Sequence, residues 1–340
     1  MKADSSDIDK DCLRSLINAE YGLRISVLTF VPCGEDAYIY TAQNADNQPL
    51  FIRVQPFSKG KQLETAYAVT SLLHNYYGLK QVVAPYRTRH GNFTFSFKAY
   101  TVAVFPFIDG VTLYRQNVSE DEIRATARLL AQVHQQRLVY DSFMIPHETF
   151  DNPFQAPIDQ AIRVADRVPT SCNLYQRLAC QLLIAHRADI LAMFGYMQWL
   201  QGQTQALVRD WALTHGDPNR DNFLKAQDGT LYLTDWGELA IGPPERDLVH
   251  WTGETFEVFL RHYAQLRPTL TLHRTLFEFY FYRWSLQEIA DYATQILFRE
   301  LGAVENEHAL EELQNYLPVR HKDIAARLEQ VEWVIKQVLG

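Results

Sequence analysis

One segment, residues 215–237, limits what this chain can fold into more than any other. Within it Asp228-Gly229 is a strong two-residue hairpin signal, because both central positions of a type I′ turn need φ > 0. A turn of that length sets a register in which Asn222 stands opposite Asp235. Opposed residues in a ladder sit about 5 Å apart, so an amide oxygen and a carboxylate are expected to converge. Oxygen ligands of that kind suit Mg2+, which is usually held by one or two protein carboxylates together with phosphate oxygens and water. Asp217 precedes Asn222 on the loop leading into the hairpin, close enough to aim at a hydroxyl beside the metal. The set describes a phosphoryl-transfer site, in which a carboxylate orients a hydroxyl and accepts its proton while metal neutralises charge on the phosphates. His215 reads as a core hydrogen-bonding residue.

The rest of the chain divides by periodicity. At roughly 150 residues per domain, 340 residues suggest two lobes, and 47% hydrophobic residues suffice for a substantial core. Strand patterns cover 25–31, 38–41, 50–54, 81–86, 93–97 and 100–107, with one helical stretch over 62–75 that places Leu63, Ala66, Val69, Leu72 and Leu73 on one face. Helical patterns then dominate. Ser119 with Glu122 forms a capping box, followed by Ile123, Ala127, Leu130, Ala131 and His134 at helical spacing. Further helices are expected over 174–200, over 256–263 and from 272 to the end. The fold class is α+β, with a strand-rich part over 1–107 and a mostly helical part over 108–340.

Charge and hydropathy narrow the function classes. The net charge of −8 is unevenly spread, +1 over residues 1–110 and −9 over the remainder. An acidic C-terminal part argues against nucleic acid as the main partner, since phosphate binding needs concentrated Lys and Arg; it suits a cationic small molecule. The longest mostly apolar stretches, 100–108 and 190–200, fall short of the roughly 18 residues a bilayer-crossing helix needs, so no membrane span is expected. An acidic start at Asp4 to Asp11 lacks the basic and apolar regions of a signal peptide, which points to the cytoplasm. Cys12, Cys33, Cys172 and Cys180 match no zinc spacing and read as reduced thiols.

The pattern His-x-Asp-x-x-x-x-Asn followed by Asp-x-Gly resembles the catalytic and metal loops of the protein-kinase-like fold. His215-Gly216-Asp217 with Asp235-Trp236-Gly237 is similar to the aminoglycoside phosphotransferase and choline kinase branch. Ile241-Gly242-Pro243-Pro244-Glu245-Arg246-Asp247-Leu248 resembles the segment after the metal loop in spectinomycin phosphotransferases. The resemblance implies a bilobal fold with a nucleotide-binding lobe over 1–107 and a helical lobe over 108–340 that carries the catalytic loop and acceptor pocket. It implies Asp217 as catalytic base, Asn222 and Asp235 as Mg2+ ligands, and Asp247 as a structural acid that ties the catalytic loop down. On the nucleotide side it implies Arg53 at the place of the phosphate-contacting lysine, Glu64 as the partner that positions residue 53, Gly34 in the phosphate loop, and Phe105 and Phe107 in the hinge that holds the adenine.

Two positions depart from the family pattern. Arg53 replaces a lysine, and the planar guanidinium is not equivalent to an ammonium at a site that positions nucleotide. Cys33-Gly34-Glu35-Asp36 holds one glycine and two acids, so backbone N–H groups or Tyr38 are expected to face the phosphates. Trp251, Glu254 and Glu257, with Tyr280, Tyr282 and Trp284 on the later helix, are candidates for the acceptor pocket, as an aromatic wall and acids suit an amine-bearing polyol; Phe277, Tyr280, Trp284 and Ile289 at helical spacing also fit a helix core. Three readings follow. The first is a kinase using ATP or GTP to phosphorylate a hydroxyl of an aminoglycoside or aminocyclitol, spectinomycin above all. The second keeps the enzyme class with choline, ethanolamine, homoserine or a sugar as acceptor, because pocket residues and not fold determine the acceptor. The third is a nucleotide-binding kinase-fold protein with weak or no catalysis.

Overall fold

The computed structural model describes residues 4–33, 37–56, 60–136, 143–167, 172–204, 206–207, 210–299 and 302–340. The chain forms two compact units, one of Met1–His147, Ala212–Ile241 and Gln265–Arg267, the other of Glu148–Trp211, Gly242–Ala264 and Pro268–Gly340. This division differs from the 107/108 boundary expected from periodicity, because the hairpin that carries Asn222 and Asp235 packs with the strand-rich part of the chain.

The first unit is built on an antiparallel sheet of order β1-β2-β3-β5-β4: β1 Thr29–Val31, β2 Tyr38–Gln43, β3 Pro49–Pro56, β4 Thr94–Phe97 and β5 Tyr100–Pro106. Alternation along β3 puts Leu50, Ile52 and Val54 on one face, where they pack with Tyr40, Val102, Val104, Leu13 and Ile17. Leu13 and Ile17 belong to α1, Lys10–Tyr21, which Asp9 caps through Asp11 and Cys12 N–H. α1 does not stand out by periodicity, because its polar first turn masks an apolar face of Leu13 and Ile17. The opposite face of the sheet, which carries Arg53 beside Ala103, is covered by α2, Gly60–Asn75, through Leu63 and Tyr67.

Residues 81–86, expected as a strand, make one isolated parallel bridge, Val82 to Leu233. The bridge pins this stretch to the hairpin of residues 223–233 through Val83 N–H to Leu233 O and Leu233 N–H to Gln81 O. The hairpin strands β8, Phe223–Ala226, and β9, Leu231–Leu233, join β6, Gly110–Thr112, in a three-stranded sheet, while β7, Ala212–Thr214, pairs with β10, Ala240–Gly242. The expected capping box opens α3, Glu120–His134.

The second unit is helical: α4 Gln155–Ala165, α5 Leu174–Ala185, α6 Arg187–Thr204, α7 Glu245–Leu248, α8 Phe256–Leu266, α9 Arg274–Phe298, α10 Ala303–Tyr316 and α11 His321–Leu339. The single helix expected over 174–200 is two, bent by 63° at His186, and the stretch after 272 is three. α9 is buried on every side over Leu276–Tyr282, as a helix entering the centre of a bundle must be, and further along it buries Ile289 and Ile296. Beside it sits a buried charge cluster. Glu148 Oε2 meets Arg283 Nη1 at 2.7 Å and Arg246 Nε at 3.4 Å, and accepts from the Tyr280 hydroxyl at 3.2 Å. Burial alone would raise the Glu148 pKa, but the guanidinium groups of Arg283 and Arg246 outweigh it and hold the carboxyl below its ordinary range. Among the described residues no single helix is long and apolar enough to cross a bilayer.

Candidate active site

The catalytic loop is organised by hydrogen bonds that span few residues. His215 is fully buried behind β7, its ring 4.6 Å from that of Trp236. Its Nε2 lies 2.7 Å from the Thr234 carbonyl oxygen, which only accepts, so Nε2 carries the proton. Nδ1 is therefore an acceptor, and it takes the Asp217 N–H at 3.2 Å. Gly216, at φ +99°, makes the turn between them that a side chain would strain. The core role expected for His215 is what the structure shows, with one addition: the ring holds the backbone of Asp217.

Two amides bracket the Asp217 carboxylate. Asn219 Nδ2 donates to Oδ1 at 2.8 Å, and Asn222 Nδ2 donates to Oδ2 at 3.1 Å and to the Asp217 carbonyl at 2.7 Å. Asn219 also accepts from Asp221 N–H and Asn222 N–H, capping the 3-10 turn Arg220–Asn222. Asn219 is not among the site residues expected from the sequence. Its signal was available, since an asparagine two residues after an aspartate and two before a backbone donor is placed for such an Asx turn.

The hairpin carries a correction. Phe223 pairs with Leu233, Leu224 with Tyr232 and Lys225 with Leu231, a register one residue off that expected. The loop has three residues, not two: Gly229 N–H bonds Ala226 O, Ala226 N–H bonds Thr230 O, and Gly229 takes φ +84°. This is a type I turn closed by a left-handed glycine, the common three-residue hairpin. Asn222 therefore faces Thr234, whose N–H and hydroxyl both donate to the Asn222 carbonyl, at 2.9 and 3.2 Å. Asp235 follows the ladder in a left-handed conformation, φ 58° and ψ 66°, which turns it out of the strand's alternation. Aspartate is one of the few residues that tolerate this conformation.

Asn222 Nδ2 is spent on Asp217, leaving Oδ1 as an acceptor with no protein donor among the described residues. Asn222 Oδ1 and the Asp235 carboxylate are oxygen donors of the kind Mg2+ takes when phosphates and water supply the remaining positions. Among the described residues no group of three or more His, Cys, Asp and Glu side chains could hold a metal by itself.

The nucleotide-side residues separate. Arg53 Nη1 lies 2.5 Å from Asp235 Oδ1. Glu64, expected to position residue 53, instead accepts from Phe93 N–H at 2.8 Å, Thr94 N–H at 2.9 Å and the Thr94 hydroxyl at 2.6 Å. It ties α2 to the start of β4, because two backbone donors at a strand end bind a carboxylate more fully than one guanidinium. Gln62 Nε2 adds a bond from α2 to the Gly237 carbonyl at 3.0 Å. Phe105 packs edge-on against Phe51 and Tyr67, whereas Phe107 is more open and donates its N–H to Pro49 O. Gly34 lies outside the described residues.

The acceptor candidates lie in the second unit. Trp251 is 1% exposed and stacks on Phe259 at 5.2 Å, which makes it core and corrects its expected place in a pocket wall. Glu257 pairs with Arg261 one turn along α8, and Glu254 is exposed. Tyr280 and Tyr282 are buried, as a helix core requires.

Comparison with known proteins agrees with this geometry. Residues 27–274 match the phosphotransferase enzyme family. Protein StrN of Streptomyces griseus is 30% identical over 297 residues, covering 86% of each chain. Spectinomycin phosphotransferase APH(9)-Ia, solved in complex with ADP and spectinomycin, superposes with a TM-score of 0.74 at 19% identity, over 95% of this chain and 99% of that one. Choline kinase LicA from Streptococcus pneumoniae gives a TM-score of 0.52 at 17% identity, over 90% and 99%. The α+β architecture is thus the protein-kinase-like fold, and a family match over most of the chain makes this protein a member of the phosphotransferase enzyme family, a small-molecule kinase with an alcohol group as acceptor.

Proposed function

We propose that the protein transfers the γ-phosphate of ATP or GTP to a hydroxyl of a cationic aminoglycoside or aminocyclitol, with spectinomycin as the leading acceptor. The observation that carries this reading is the bracketed carboxylate of Asp217. Amide donors on both oxygens fix its orientation. Each oxygen has a second lone pair with which to accept the proton of an incoming hydroxyl. Asp217 is then the general base, His215 holds its backbone, and Asn219 and Asn222 hold its carboxylate. Asn222 Oδ1 and Asp235 are the residues that would hold Mg2+, which when bound neutralises charge on the transferring phosphate. Arg53 would contact phosphate, the Gly34 loop would cover it, and Phe105 with Phe107 would border the adenine. Glu254 and Glu257 remain the candidates for an acceptor's ammonium groups. Such chemistry belongs where the nucleotide is, in the cytoplasm, and it would confer drug resistance only where the acceptor is the drug.

The name of the neighbour with TM-score 0.74 supports an aminocyclitol acceptor. One observation favours a second reading, weak or absent catalysis: Arg53 rests on Asp235, a residue the metal would need. Mg2+-dependent nucleoside-triphosphate consumption separates the readings, run with ATP and GTP against spectinomycin, kanamycin-type aminoglycosides, choline, ethanolamine, homoserine and simple sugars. Turnover stimulated by spectinomycin is expected. Stimulation by choline, ethanolamine, homoserine or a sugar alone would reassign the acceptor, and nucleotide binding without turnover on any of them would favour the non-catalytic reading.

A further inference from the structure

The chain on the two sides of Asp235 is held by different means. On the hairpin side it is fixed from within its own segment: Thr234 N–H donates to the Asn222 carbonyl at 2.9 Å, His215 Nε2 donates to the Thr234 carbonyl at 2.7 Å, and the buried Trp236 donates its Nε1–H to the Leu233 carbonyl at 3.3 Å. The far side, the 3-10 turn Trp236–Glu238, is met by another element. Gln62 Nε2 donates to the Gly237 carbonyl at 3.0 Å, and among the described residues that carbonyl has no other donor. The buried Leu63 lies against the same glycine, where an added Cβ would meet its Cδ2 at 3.9 Å. Asp235 itself is left-handed, so where its carboxylate points follows from the backbone on both sides. Gln62 and Glu64 stand two residues apart at the N-terminal end of α2 and so face different ways. Glu64 takes Phe93 N–H, Thr94 N–H and the Thr94 hydroxyl, which ties that end of the helix to the sheet while Gln62 reaches the turn.

We propose that Gln62 is a positioning residue for the metal loop, and that Glu64 anchors the end of α2 from which it acts. The Gln62 amide holds the carbonyl two residues beyond Asp235, and so fixes the far end of a turn whose near end the hairpin fixes. Without that bond the Gly237 carbonyl turns to water, which satisfies it but in no single direction. The Asp235 carboxylate then spreads over more orientations than a metal can use. Partners that orient a metal ligand are worth about 10–100-fold in metal affinity; Gln62 acts through the backbone, at one remove, and belongs at the lower end of that range. Glu64 thereby serves the metal side of the site and not residue 53. This role rests on the reading of Asp235 as a Mg2+ ligand.

ADP binding measured by calorimetry in EDTA and in saturating Mg2+ tests it, because the ratio of the two dissociation constants isolates what the metal adds. Gln62→Met keeps the length of the side chain and loses the donor. It is expected to lower that ratio about tenfold with ADP affinity in EDTA unchanged, a split that a general loosening of the fold would not give. Glu64→Gln puts an amide where backbone donors now meet a carboxylate. It is expected to lower the ratio in the wild-type background and to add little in the Gln62→Met background. A ratio unchanged by Gln62→Met would overturn the proposal, and so would affinity lost equally in both conditions, or a Glu64→Gln loss of equal size in both backgrounds. Asp235→Asn distinguishes these failures from failure of the reading beneath them, since it should remove the Mg2+ enhancement. An enhancement that survives Asp235→Asn, or none in the wild type, would remove Asp235 as a metal ligand and the role of Gln62 with it.

Discussion

Two regions of the molecule are built from buried or half-buried polar groups, and they are assembled in opposite ways. In the catalytic loop, His215, Asp217, Asn219 and Asn222 bond partners between two and 19 residues away along the chain. In the charge cluster of the helical unit, Glu148 draws Tyr280 from 132 residues away and Arg283 from 135. The first region can be formed by one segment and so leaves a spaced motif in the sequence. The second exists only after α9 and α7 have packed, and each of its residues looks like an ordinary surface charge until then. Functional geometry here is local and stabilising geometry is distant, so substitutions in the two regions should divide between turnover and stability.

The largest loss of stability is expected from Glu148→Ala, which leaves two guanidinium groups without their carboxylate. Removing one partner of a buried ion pair costs about 3–5 kcal/mol, read as a lowered midpoint in chemical denaturation; a change under about 1 kcal/mol would show that the cluster is solvated in solution. Trp251→Ala should cost a similar amount, about 3–5 kcal/mol for a buried aromatic, with acceptor KM unchanged in whatever folded protein remains. A raised KM at full stability would return Trp251 to the acceptor pocket. Asn219→Ala should do the converse, lowering kcat about tenfold as loss of a carboxylate-orienting bond does, with nucleotide affinity unaffected and stability lowered by only about 1 kcal/mol for the turn cap that it also makes.

The most gradual effect concerns pH. Burial pushes Glu245 up to about 8, against 4.5 in an unfolded chain, with the His273 N–H at 2.7 Å as an opposing influence. Between those values the folded state holds a proton that the unfolded state has lost, so the stability associated with Glu245 is complete below about 4.5 and declines as pH rises to about 8. The decline is at most about 1.4 kcal/mol per pH unit. Glu245→Gln keeps an acceptor for His273 and should flatten this slope, so the variant's Tm should gain on the wild type steadily from pH 5 to pH 8. Parallel Tm profiles would mean that Glu245 ionises normally in the fold.

What was legible in the sequence follows the same division. The capping box at Ser119 and Glu122, the hairpin around Gly229 and the loop from His215 to Asn222 are short-range features, and the chain's family is readable from them. The hairpin register was not, because Asp-Gly serves both a two-residue turn and the last two positions of a three-residue one, and the choice depends on Thr230 pairing with Ala226. The partners of Arg53 and Glu64 were also illegible. A carboxylate at the N-terminal end of α2 can serve a strand residue or the backbone of β4, and only tertiary placement decides. Trp251 misled for a related reason: an aromatic near two acids reads alike as pocket and as core until the stacking on Phe259 is seen.

The account stands most directly on Asp217 as the base for a hydroxyl acceptor. Single-turnover phosphate transfer to the best acceptor, measured for wild type and Asp217→Ala with nucleotide affinity and thermal unfolding recorded alongside, puts that claim to the test. Transfer is expected to slow by about a thousandfold, within the range general-base groups contribute, with Mg2+-nucleotide affinity and unfolding unchanged. Transfer within tenfold of the wild-type rate would contradict it, and so would a loss explained entirely by weaker nucleotide binding or by unfolding.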